Sequence, residues 1–167
     1  MPDRPPEMYA GGRQPDQTFD VDEPLYCRVH PEVIQGDETV DPVHVHCPDL
    51  SSNRKRYSES WYVLYPRDRF GSFAVFRFLL SEVLPEVASI QLGGGIPAVY
   101  AVRTVHDPEM DNYGHCETRL YRGNERMKPN KVSPGAKKLF REHMSRILRL
   151  ERRSGLSFPP TPASASD

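Results

Sequence analysis

Between residues 24 and 121 the hydrophobic positions recur mainly in steps of two. Leu25, Cys27 and Val29 alternate with Tyr26, Arg28 and His30, the period of a strand with one buried face. Val43, Val45 and Cys47 alternate with His44 and His46 and predict a second strand. Trp61–Tyr65 is aromatic and β-branched, which predicts a third, half-buried strand. Phe73, Phe76, Leu80 and Val83 have helical spacing, yet the run from Phe73 to Phe78 reads as extended. The reading adopted is a strand running into a short helix that stops near Pro85. Gly93, Gly94 and Gly95 mark a turn. Ala98–Val105 and Tyr113–Tyr121 are two strand-like runs, and the Asp-Pro-Glu-Met-Asp-Asn stretch between them predicts a hairpin.

The period changes near residue 133. Ser133 can cap a helix, Pro134 suits its first position, and Gly155 lies past the expected end. At about 100° per residue, Ala136, Leu139, Phe140, Met144, Ile147 and Leu150 share one arc. Lys137, Lys138, Arg141, Arg149, Arg152 and Arg153 fall opposite it or on its flanks. These elements predict an α+β fold: a small, mostly antiparallel sheet of five or six strands with a C-terminal amphipathic basic helix.

Composition narrows where that fold lies. The chain has 167 residues, 17 of them Pro, and a hydrophobic share of 37%. Pro and Gly crowd residues 1–17, and Pro, Ser and Ala crowd 154–167. Both ends are expected to be disordered, which leaves a single α+β domain over 18–153. No apolar run reaches the roughly 18 residues that span a bilayer, so no membrane role is expected. The start lacks the pattern of a secretory signal, and three widely spaced Cys suit a reducing compartment. The expected location is cytoplasmic.

The net charge of −1 conceals a split. Residues 1–50 hold three Arg against eleven Asp and Glu, a balance of −8. Residues 119–153 hold twelve Arg and Lys against three Glu, a balance of +9. A basic last third suits a partner protein with an acidic surface, or nucleic acid.

Four segments carry candidate chemistry. If residues 43–47 form a strand, His44 and His46 project to one side and can share a divalent transition metal, zinc or manganese. His115 is the candidate third ligand, with Glu117 as base or further ligand. Residues 49–60 read as a polar loop in which Arg54, Lys55 and Arg56 can bind phosphate beside Tyr57. Residues 106–117 concentrate His106, Asp107, Glu109, Asp111, His115 and Glu117 in one hairpin. The fourth is the basic helix, with Lys137, Lys138, Arg141, Arg149 and Arg152 as binding residues. His143, on its apolar arc, is expected to be a satisfied core residue. Cys27, Cys47 and Cys116 sit on apolar phases and read as buried small hydrophobes.

His44-Val45-His46 also resembles the histidine pair of HUH nucleases, over three residues only. That resemblance implies a metal beside a scissile phosphate and Tyr57 as the attacking group. Tyr57 departs from the pattern, since the family's tyrosine sits on a later helix. No phosphate-cradling P-loop and no G-x-S-x-G elbow occurs.

Two functions follow. The first is a small cytoplasmic binding or adaptor domain of a multi-component, bacterial system, an accessory subunit that engages its partner through the basic helix and the 49–60 loop. The alternative is a metal-dependent hydrolase or nuclease built on His44, His46 and His115.

Overall fold

The computed structural model describes residues 4–89 and 95–156. Gly93 and Gly94 of the expected turn, and most of the Pro/Ser-rich tail, lie outside the described residues. The strands are β1 (Pro24–Val29), β2 (Asp49–Arg54), β3 (Ala74–Leu79), β4 (Glu86–Ser89), β5 (Ala98–His106), β6 (His115–Arg122), β7 (Glu125–Arg126) and β8 (Arg149–Arg152). A one-turn helix α1 spans Arg67–Phe70, and α2 spans Pro134–Ile147. The strands form one sheet in the order β4-β5-β6-β2-β1-β3-β8, with β7 paired to β6. Every described ladder is antiparallel. The fold is α+β, an antiparallel sheet with a C-terminal helix, but with eight strands among the described residues rather than five or six.

The difference has local causes. Residues 43–47 do not form a strand. Asp41 caps the amide of Val43, Pro42 opens a 3-10 turn through His44, and only Val45 turns inward. Trp61–Tyr65 is not a strand either. Ser60–Leu64 is a 3-10 turn in which Tyr62, Val63 and Leu64 are buried in succession, a pattern alternation cannot produce. The polar stretch 49–54, read as a loop, is instead β2 at the centre of the sheet, between β1 and β6. The last helix stops at Ile147, well short of Gly155. Leu148 and Leu150 alternate with Arg149 and Glu151, and Arg149–Arg152 pairs with β3 as an edge strand. Arg149 and Arg152 therefore belong to a strand and not to the helix.

Other expectations hold. β1 stands where the alternation puts it, β3 takes up the extended run and continues into a 3-10 turn at Leu80–Glu82, and β5 and β6 form the hairpin. Ser133 caps the amide of Ala136 with Pro134 at the first helical position.

Two layers cover the sheet. Ala136, Phe140, Met144 and Ile147 of α2 pack with Leu25, Cys27, Phe76, Phe78, Cys116 and Leu120. On the opposite face Val63 and Leu64 close over Tyr26 and Val75. Residues 4–23, the first part of which was expected to be disordered, lie against this second layer. Met8 is 1% exposed and packs with Tyr62 and Tyr65. The Met8 carbonyl accepts from the Tyr113 amide, and the Ala10 amide donates to the Met110 carbonyl. The ring centre of Phe19, in the same strap, lies 3.8 Å from the Arg54 guanidinium. Among the described residues no helix is long and apolar enough to cross a membrane.

Candidate functional site

β1 pairs with β3 along its whole length, from Pro24 to Val29. Its ladder with β2 holds only Leu25↔Arg54 and Tyr26↔Asn53. Continued in register, that ladder would set Cys27 opposite Ser52, Arg28 opposite Ser51 and Val29 opposite Leu50, and none of these pairs forms. The strands part there, and a cleft of about 640 Å³ opens between them. That volume lies within the range of ligand sites, roughly 300–1,000 Å³.

Among the described residues, three arginines, Arg4, Arg28 and Arg69, line the cleft against two carboxylates, Asp49 and Glu109. Arg28 Nη1 donates to the Val63 carbonyl at 3.0 Å, and its guanidinium lies 3.6 Å from the Phe70 ring centre. Arg69 lies over the same ring at 4.9 Å. Neither arginine has an ion-pair partner among the described residues. Burial disfavours the Arg28 charge and the Arg69 charge disfavours it further, while Glu109 acts the other way. Its pKa is lowered in consequence. Arg4, from the strap, also lines the cleft and is held at 3.0 Å by Asp111. Val29, Val40, Val45 and Leu50 form an apolar wall.

His44, His46 and His115 all line this cleft, so the three candidate ligands do face one space. They do not form a metal centre. Among the described residues no group of three or more His, Cys, Asp or Glu could hold a metal ion. The zinc or manganese site, and the metal-binding role with it, is therefore corrected. His44 and His46 project from a turn instead of sharing a strand face. His115 Nδ1 donates to the Asp107 carbonyl at 2.7 Å, which leaves Nε2 as the acceptor. That Nε2 stands 3.4 Å from Ser51 Oγ and 4.0 Å from Glu117 Oε1. Glu117 is held by Arg119 at 2.6 Å and Arg126 at 3.0 Å.

The 49–60 segment serves another purpose than a phosphate loop. Arg54 is wholly buried, and its fork meets Glu23 at 3.0 and 2.8 Å. The same group donates to the carbonyls of Asp16 and Thr18. Tyr57 donates to Asp16 at 2.5 Å and stacks on His106. Burial and the Asp16 bond push its hydroxyl up to about 12, the reverse of an activated nucleophile. Lys55 is exposed, and Arg56 stands 3.6 Å from Asp16.

The basic C-terminal residues are partly committed. Arg141 donates to the Val45 carbonyl, Arg149 pairs with Glu82 at 2.7 Å, and Lys138 approaches Glu142 at 3.9 Å. Arg152 donates to the Leu156 carbonyl, and Lys137 is half-buried. His143 is satisfied as expected, with Nε2 at 2.8 Å from the Glu82 carbonyl. Cys27 and Cys116 are buried and pushed up to about 12, and half-buried Cys47 to about 11.

Sequence reasoning misses Arg28, Arg69 and Phe70. Arg28 occupies a polar phase of β1 where any exposed residue would fit, and no spacing rule links it to a turn forty residues on. Comparison with protein-family models, with curated proteins and with solved structures finds no match.

Proposed function

We propose that this chain is a binding module that holds a negatively charged ligand in the cleft between β1 and β2. One observation carries the reading: Arg28 and Arg69 flank Phe70 with no carboxylate paired to either among the described residues. Both side chains are exposed to solvent at the cleft, so their charges are open to an anionic ligand and need no rearrangement to meet one. The adaptor role expected from the charge split is retained, with its contact moved from Arg54, Lys55 and Arg56 to the cleft that residues 49–53 help to line. The amphipathic basic character of α2 supports a further contact with an acidic partner, made by Lys137, Lys138 and Arg141.

The test uses inorganic phosphate and citrate at constant ionic strength. Ligand that binds only the folded state raises the melting temperature, by about 2.7 kcal/mol of stability at a hundred times Kd. Wild type should show that shift, Arg28→Gln and Arg69→Gln should lose it, and Lys138→Glu should keep it. A shift of equal size in all four proteins, or in none, refutes the reading.

A second reading rests on Ser51 and His115. The imidazole is oriented by the Asp107 carbonyl and turns its lone pair toward an exposed hydroxyl in the cleft. This is the arrangement of a base beside a nucleophile, which is often looser before substrate binds. It predicts slow hydrolysis of 4-nitrophenyl acetate that falls at least about a hundredfold in Ser51→Ala. Equal rates in the two proteins eliminate it.

A further inference from the structure

We infer that the ligand is an extended peptide with an acidic or phosphorylated side chain, added as a strand between β1 and β2. The inference rests on the anion-binding reading above and names the ligand class.

The walls of the cleft are strand edges. Cys27, Arg28, Val29 and His30 line one side in succession, and Asp49, Leu50, Ser51, Ser52 and Asn53 line the other. Successive side chains of a strand point to opposite faces. A space touched by every residue of such a run adjoins the edge of the strand and not one face of it. β1 uses its other edge for β3, and β2 uses its other edge for β6 through Asp49–Asn53. At Cys27–Val29 and Asp49–Ser52 the two facing edges share no ladder. Unpaired strand edges are templates for an incoming strand, whose main chain supplies the affinity.

The two faces set the side chains of that strand. Cys27, Val29 and Leu50 belong to the α2 side of the sheet, and the side chains next to it along the peptide should be apolar. Arg28 projects to the other face, where Arg69 and Phe70 meet it. The residue there should carry the negative charge, with apolar residues on either side. A free small anion would satisfy the arginines but leave both edges open.

The experiment measures binding of a fluorescent, end-blocked pentapeptide, Thr-Val-Glu-Val-Thr, to the full chain. Its arms are the same peptide with phosphoserine or glutamine in place of glutamate, a version N-methylated at both valines, free glutarate, and inorganic phosphate. The acidic peptide should bind at least tenfold more tightly than glutarate. N-methylation and glutamine should each weaken it tenfold or more, and those amides of 27–30 and 49–52 that face the cleft, and not β3 or β6, should gain protection from hydrogen exchange. The ratio of the phosphoserine to the glutamate peptide identifies the preferred charge. If phosphate or glutarate binds through Arg28 while N-methylation changes nothing, strand addition is overturned and the anion cleft stands. If no anion and no peptide binds, both readings fall.

Discussion

Arg28 and Arg54 stand on neighbouring strands and meet opposite circumstances. Arg54 is wholly buried, and burial works against its charge. The Glu23 carboxylate more than offsets that, so its pKa is raised. Arg28 opens into the cleft, beside Arg69 and without a carboxylate paired to it among the described residues. Methionine at each position should therefore give contrasting results in denaturant unfolding. Arg54→Met strands a buried carboxylate and should cost about 3–5 kcal/mol. Arg28→Met removes an exposed charge that has no carboxylate partner among the described residues and should change the ligand-free midpoint by about 1 kcal/mol or less. A large loss for Arg28→Met would show that its bond to the Val63 carbonyl is structural first.

At the scale of the element, Asp16 and His106 help to tie down the strap over residues 4–23, beside the contacts of Glu7 with Tyr62, Glu23 with Arg54 and Arg4 with Asp111. Asp16 is held at about 2 by the Tyr57 hydroxyl and the Thr18 amide. A carboxyl lowered on folding stabilises the docked strap above its ordinary value of 3.8 and loses that contribution as pH falls through about 2. His106 accepts the Asp16 amide on Nδ1, so it docks the strap while neutral. Burial lowers its pKa from 6.5, and its contribution declines as pH falls below that value. Trp61 packs beside Met8 and its tyrosines, and it is the one tryptophan in the chain. Its fluorescence should change in two steps on acidification, the first below about pH 6.5 and the second between about pH 4 and 2. Asp16→Asn should remove the second step and keep the first. A single step unaffected by that substitution would mean that Asp16 does not hold the strap.

At the scale of the molecule, the charge split is largely settled by internal pairing. Acidic residues of the first third meet basic residues elsewhere: Glu23 meets Arg54, Asp16 meets Arg56, and Glu38 meets Arg153. Glu82 takes Arg149. Among the described residues, Arg28 and Arg69 in the cleft are without a carboxylate partner, as are, among others, Lys137, Arg141 and Arg146 on α2. Elements whose signals are local can be read from the chain alone. Alternation located β1, the run 73–78 and the turn residues 107–112 located β3 and the β5–β6 hairpin, and Ser133-Pro134 located the start of α2, because burial period, turn chemistry and capping act within a few residues. Asp41-Pro42 was a local signal too, and it outweighs the alternation around His44 and His46. Only the tertiary structure decided that the polar run 49–54 is a central strand. Its Arg54 is buried against a carboxylate 31 residues away, and a polar residue reads as surface until its distant partner is known. Tertiary structure alone also decided that β1 and β2 part after two pairs, since where a ladder ends depends on what packs on both faces of the sheet.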